Sequence, residues 1–335
     1  MSQNWSDTLR IYWDFSFGPL SFLANSMLVF IILKYTPETT KTYSSIILAV
    51  TISDCVGHIG SFMTSSRSLP RDPQLFMVFR GACTFCFPNN LQQRSQFCLF
   101  FYGLQVQLFI LNHFILVFSY VYRMLIIVNP FKQIDNRKAV YSILCIYSSL
   151  HFCYFTWVWY ACLQPIEIIN HGITKYLPDI VGSDATYGGI VDLRATSQIV
   201  FYILSITSPL FAIVIAVICK WRIYIFTRNY QYSETLKNLH RSLEMVFFAQ
   251  AMGPFLSLIT SVSFAALNQM GISSDSTMLL ENLMSRPAAL MYTVNPIVTI
   301  YFIAPYRTAF RSWFCVPSNV SVGPISVANS GEPIT

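Results

Sequence analysis

From Phe97 to Val128 the chain is built of Phe, Leu, Val, Ile and Tyr, and its only Lys, Arg, Asp or Glu is Arg123. A helix needs about 20 apolar residues to cross a bilayer, so this stretch predicts a tilted transmembrane helix. Counted back from Arg123 at 100° per residue, Ser119, Asn112 and Gln105 fall within about 40° of its direction, with Leu116 among them. Gln105 lies about 27 Å from Arg123 along the axis, so the seam runs from one membrane boundary to the other. Amides and a guanidinium cannot face lipid cheaply. This face therefore looks into protein, and the helix is expected at the centre of a bundle.

Six further apolar runs reach spanning length: Ile11 to Leu33, Tyr43 to Ser65, Ala139 to Leu163, Ser197 to Cys219, Leu243 to Leu267 and Asn282 to Ile303. Proline interrupts three of them. Gly253-Pro254 sits in the middle of the sixth, Pro209 in the fifth, and Pro287 and Pro296 in the seventh. A proline inside a helix removes a backbone hydrogen bond and kinks it, which gives a bistable element a pivot. After the seventh run, Tyr306, Phe310, Trp313 and Phe314 share one helical face with Arg307 and Arg311 off it, the pattern of an interfacial amphipathic helix. The expected fold is an all-α membrane protein. Residues 1–10 form an extracellular N-terminus, 11–303 a seven-helix bundle, 304–315 the interfacial helix and 316–335 a disordered cytoplasmic tail.

Composition agrees: 54% hydrophobic, 16% aromatic, 11% charged, mean hydropathy +0.51. Seven spans with short loops leave no room for a soluble catalytic domain. In a soluble protein the net charge of +6 would hint at nucleic acid; here location explains it and no nucleic-acid partner is expected. With the N-terminus outside, Lys34, Lys41, Arg123, Lys132, Arg137, Lys138, Lys220, Arg222, Arg228, Lys237, Arg241, Arg307 and Arg311 lie on the inner side, more than half of the 21 basic residues. The connection carrying Arg67, Arg71, Arg80 and Arg94 departs from this rule. Asn4-Trp5-Ser6 is a glycosylation sequon, and Cys315 stands where palmitate would reach the bilayer surface. Cys83, Cys86, Cys98 and Cys162 lie on or near the outer side, where a disulfide would persist, with the pairing open. Cys55, Cys145, Cys153 and Cys219 read as apolar fillers. No cysteine or histidine pattern binds a metal, and no cofactor is implied.

Asn25, Asp54 and Asn295 are intramembrane polar groups expected to meet, Asp54 being the strongest single functional candidate. His58, His113 and His151 read as core histidines. A ligand entering from outside is expected against Gln105, Phe109, Asn112 and Arg286. Arg123, Arg222, Arg228, Lys237 and Arg241 are expected to face an intracellular partner.

Together these features resemble a rhodopsin-like G-protein-coupled receptor. Asn25, Asp54 and Asn295-Pro296 with Tyr301 are similar to that group's polar network and NPxxY ending, with two extra residues before Tyr301. Tyr120-Val121-Tyr122-Arg123 stands where those receptors carry an acidic-Arg-Tyr triplet, without the acid. The set is closer still to the nematode serpentine chemoreceptors, in particular the Srd class of the Str superfamily. The resembling blocks are Leu239-His240-Arg241-Ser242-Leu243 through Gln250-Ala251-Met252-Gly253-Pro254, and Asn295-Pro296-Ile297-Val298-Thr299 followed by Pro305-Tyr306-Arg307. Gly81-Ala82-Cys83, Tyr122-Arg123 and Lys41-Thr42-Tyr43 also fit.

The resemblance implies a plasma-membrane receptor of sensory neuron cilia that binds a small odorant or pheromone and activates a heterotrimeric G protein. Its activation network would comprise Asn25, Asp54, Gln250, Pro254, Asn295, Pro296 and Tyr301. A transporter or ligand-gated channel is the alternative, and would call for inverted repeats or rings of charge that the chain does not display. A retinal photoreceptor would need a lysine between Asn282 and Ile303, where there is none. An enzyme would need HExxH, GxSxG or a phosphate loop, also absent.

Overall fold

The computed structural model describes residues 3–37, 41–71, 74–128, 137–161, 163–176, 186–190, 196–229, 245, 249–260, 262–263, 266 and 286–314. In chain order the elements are α1 (Gln3–Tyr35), α2 (Lys41–Thr64), β1 (Ser66–Arg71), β2 (Gln74–Phe79), a 3-10 turn (Ala82–Phe85) and α3 (Leu91–Val128). There follow α4 (Arg137–Ala161), α5 (Ile166–Tyr176), β3 (Thr186–Ile190), α6 (Thr196–Asn229), a helical segment 249–260, α7 (Arg286–Phe302) and α8 (Ala304–Phe314). Five helices among the described residues are long and apolar enough to cross a membrane: Tyr12–Tyr35, Lys41–Thr64, Leu91–Val128, Lys138–Tyr160 and Ile203–Arg228. Helix α1 already begins at Gln3, so Asn4 of the sequon lies in its first turn. Leu33, Ile146, Phe152, Tyr160 and Val217 are exposed. Apolar surface on this scale is stable only against lipid, and the chain is a multi-pass membrane protein.

Helix α3 touches α2, α4, α5, α6 and β3. Ile46, Val50, Leu111, Ile115, Tyr122 and Val140 join α2, α3 and α4, while Leu116, Tyr120, Ala216 and Cys219 join α3 to α6. Leu28, Ile31, Ile32, Ile47, Ile300, Tyr306 and Ala309 hold α1, α2, α7 and α8 together. The Tyr306 hydroxyl pairs with Ser44 Oγ at 2.7 Å, so α8 is tied to α2 as well as packed on it. Its buried Tyr306 and Ala309 with part-buried Phe310 make the amphipathic face.

The all-α expectation is corrected by a three-stranded antiparallel sheet in the order β1-β2-β3, with Ser66 opposite Phe79 and Leu75 opposite Ile190. Strand residues alternate between faces, and β2 has apolar neighbours on both. Leu75, Met77 and Phe79 pack with Cys83, Cys98, Leu99 and Val158, whereas Phe76 and Val78 pack with Leu69, Ile169 and Ile173 of β1 and α5. Such a strand shows no alternation in sequence and reads as part of an apolar loop. The sheet caps the end of the bundle away from Arg123 and α8. Arg67 and Arg71, two of the arginines that broke the charge rule, belong to β1.

The backbone leaves α2 through Ser65 in the left-handed region, φ 37°, with its N–H on Ser61 O at 2.8 Å and its hydroxyl on Asp14 Oδ2 at 2.7 Å. A left-handed residue closing a helix is the usual way to satisfy its last carbonyls. Cys83 and Cys98 form a disulfide that fastens the 3-10 turn to α3. It closes a loop of sequence separation 15, for which chain entropy gives about 3 kcal/mol. Cys83→Ser is therefore expected to lower the apparent melting temperature of the purified protein under oxidising conditions. Added reductant should move the parent protein to the same value and leave the variant unchanged.

Candidate functional site

The polar seam of α3 faces inward: Asn112, Ser119 and Arg123 are buried and Gln105 is half-buried. At its sheet-side end α2 comes close, since a Cβ on Gly60 would stand 3.0 Å from both Gln105 Cβ and Phe101 O. One turn further in, the ring of Phe109 lies edge-on to His113 at 4.7 Å and to Tyr292 of α7 at 6.4 Å. Tyr292 stands 5.1 Å from the His58 ring. Below them Asn112 Nδ2 donates to Asp54 Oδ1 at 2.5 Å, so the buried carboxyl of α2 is held by the central helix. The result is an aromatic and polar floor on the sheet side of the bundle, formed by α2, α3 and α7.

The three groups expected to meet do not form one cluster. Asn25 Nδ2 donates to the Tyr292 carbonyl at 2.8 Å and to Ser21 O at 2.9 Å, bridging α1 to α7, whereas Asp54 bridges α2 to α3. Asn295 Oδ1 has no protein partner among the described residues. Tyr292 joins the two halves, accepting from Asn25 on its backbone while its ring lies on His58. Pro296 is buried, but Tyr301 is 58% exposed and lies edge-on to Phe302 at 5.0 Å, turned away from the network.

Helix α3 grips segment 249–260 at two heights. His113 Nε2 shares a hydrogen bond with Ser257 Oγ at 3.0 Å, and its Nδ1 one with Ser208 Oγ of α6 at 3.3 Å. Ser257 Oγ also donates to the Gly253 carbonyl at 2.8 Å. Two turns below Ser257, Gln250 Oε1 accepts from Arg123 Nη2 at 2.9 Å, and the same nitrogen donates to the Tyr43 hydroxyl of α2. The guanidinium lies 4.7 Å from the Tyr43 ring centroid, a cation–π contact. Between the two grips stand buried Gly253 and Pro254. Arg123 is 4% exposed, and its Nε and Nη1 have no protein acceptor among the described residues.

At the same end α6 carries exposed Arg222 and Arg228. Its 34 residues make about 51 Å of helix, well beyond a hydrocarbon core of about 30 Å, and both arginines lie in its last two turns. Lys237, Arg241 and Cys315 lie outside the described residues, as does the side chain of Arg286, the first residue of α7. Sequence reasoning missed His113, Ser208, Ser257, Tyr43 and Tyr292 as site residues. One signal was available: Ser208 precedes Pro209 and Ser257 follows Pro254 by three, and hydroxyls near intramembrane prolines commonly re-satisfy freed backbone groups.

A family described as "Serpentine type 7TM GPCR chemoreceptor Srd" matches residues 9–312. Serpentine receptor class delta-3 of Caenorhabditis elegans is 24% identical over 307 residues, covering 89% of this chain and 85% of its own. Class delta-18 of the same organism is 25% identical over 331 residues, covering 96% and 92%.

Proposed function

The chain belongs to the Srd family of serpentine seven-transmembrane chemoreceptors, and from that premise we propose that it binds a small odorant or pheromone in the outer half of the bundle and activates a heterotrimeric G protein from the other side. The spans number seven in a rhodopsin-like arrangement, with the N-terminus outside. The receptor resides in the plasma membrane of sensory cilia. The ligand rests on the floor made by Phe109, His113 and Tyr292, reaching toward Gln105 and Arg286. Bound ligand favours the state in which the part of segment 249–260 below Gly253–Pro254 moves outward. That movement exposes Arg123 beside the basic end of α6, where Arg222, Arg228, Lys237 and Arg241 meet the G protein.

One observation carries this reading: α3 holds segment 249–260 on both sides of a proline, through Ser257 above and Gln250 below. Such a lever has two discrete arrangements, and a ligand shifts them only by its differential affinity.

The test is heterologous expression with cAMP, cGMP and calcium readouts against a panel of volatile and soluble metabolites. A response abolished by removing G proteins is expected; a ligand-gated current that persists without them would overturn the reading. Once a ligand is in hand, Pro254→Ala restores an N–H at position 254 and straightens the segment. Coupling per bound receptor is expected to fall about fivefold or more, the low end of a typical coupling energy, with a smaller change in radioligand affinity. Lost binding with intact coupling would remove the pivot from the mechanism.

A further inference from the structure

Beside the signalling path, α1 and α8 leave an open groove of about 640 Å³ lined by Leu23, Ser26, Met27, Phe30, Lys34, Tyr35 and Trp313. Leu23, Met27, Phe30 and Lys34 follow the i, i+4, i+7, i+11 spacing of one helix face. From Leu23 to Lys34 that face runs about 16 Å at 1.5 Å per residue, close to the roughly 15 Å depth of one leaflet's hydrocarbon. The deep end is apolar and lipid-facing, Leu23 being 63% exposed. The shallow end is cationic. Lys34 lies in the last turn of α1, exposed, with its Nζ 5.5 Å from the Phe30 ring and 5.5 Å from the Tyr35 ring. Among the described residues no carboxylate pairs with it.

The far wall is built and fixed. Trp313 lies edge-on to Phe30 at 5.5 Å and donates its indole N–H to the Tyr35 hydroxyl at 3.4 Å. The groove thus has one leaflet's depth of apolar wall, an aromatic collar at headgroup level and one cation at the rim with no anion supplied by the described residues.

We propose that this groove is a binding site for an anionic glycerophospholipid, whose acyl chain lies along Leu23 and Met27 and whose phosphate or carboxylate sits on Lys34. A second copy of the chain fits less well, because it would have to bring a carboxylate to Lys34 at the membrane boundary. The site does not depend on ligand or G protein, nor on the orientation proposed above; with the N-terminus outside it faces the cytoplasmic leaflet, where anionic lipid concentrates.

Full-length receptor is placed in nanodiscs of phosphatidylcholine and phosphatidylserine in equal amounts, and retained lipids are identified by native mass spectrometry. Phosphatidylserine is expected to be retained about fivefold over phosphatidylcholine, the factor equivalent to about 1 kcal/mol per cation near a membrane surface. Lys34→Gln should abolish the preference and Lys34→Arg keep it. Trp313→Ala should reduce retention of both lipids, each variant being checked for an unchanged melting temperature. No preference in the parent, or one untouched by Lys34→Gln as when Glu38 already neutralises the amine, would overturn the proposal. So would displacement of phosphatidylserine by inorganic phosphate, which would mark a bare anion site. Disulfide-linked pairs of Ser26→Cys receptors would place a second copy in the groove instead.

Discussion

Replacing Gln250 with leucine is expected to raise ligand-independent signalling about tenfold. The buried Arg123 guanidinium donates through Nη2 to Gln250 Oε1 and to the Tyr43 hydroxyl. Its other nitrogens have no acceptor among the described residues. A hydrogen bond to a charged group is worth about 1.5–3 kcal/mol, and a factor of ten in an equilibrium constant needs about 1.4. On the proposed mechanism the closed arrangement makes this bond and the open one has already broken it, so its loss acts on the closed state alone. Leucine keeps the volume of the amide, which limits the packing cost. Basal second-messenger output normalised to surface receptor measures the effect. An unchanged basal signal would show that the Arg123–Gln250 contact is indifferent to state.

Gly81→Ala is expected to remove the receptor from the cell surface altogether. A Cβ at position 81 would stand 2.4 Å from the Met63 carbonyl oxygen and 2.6 Å from the Met63 carbonyl carbon and the Phe62 oxygen. These are backbone atoms at the end of α2 and cannot swing aside. The turn cannot back away either. The Arg80 and Gly81 N–H groups both donate to Thr64 O, at 3.1 and 3.0 Å, and Cys83 is bonded to Cys98 two residues on. Because φ at Gly81 is −85°, the clash alone sets the cost and backbone strain adds nothing. Overpacking typically costs about 1–3 kcal/mol, occasionally more, and here neither the helix end nor the turn can yield. Surface labelling of a tagged receptor measures the loss. Normal surface levels would mean that α2 and the turn separate freely.

The central helix and its inward seam were legible because a row of amides, a hydroxyl and an arginine at helical spacing has one cheap place to go inside a membrane. Asp54 was legible for the same reason, and its partner proved to be Asn112 on that seam. The sheet was not legible, because β2 buries both faces and so loses the alternation that marks a strand. The His113 grip was hidden differently. Its ring lies about 80° around α3 from the seam, so the helix has a second polar direction, carried by a single residue between apolar neighbours. Only the positions of Ser208 and Ser257 reveal that direction, and both are set by tertiary packing. Tyr301 is out of register: the two extra residues after Pro296 turn it by about 200°, out to the exposed side.

Spin labels on Ile126 of α3 and Met245 beside segment 249–260, both exposed, report the gap below Pro254. A second pair on Ile199 and Val262 reports the bundle above it. With receptor in nanodiscs, Gln250→Leu should lengthen the inner distance by several ångströms, of the order of one helical turn's rise of about 5 Å, and leave the outer distance as in the parent. An inner distance identical in both proteins, or both pairs moving together, would contradict a lever pivoting at Gly253–Pro254.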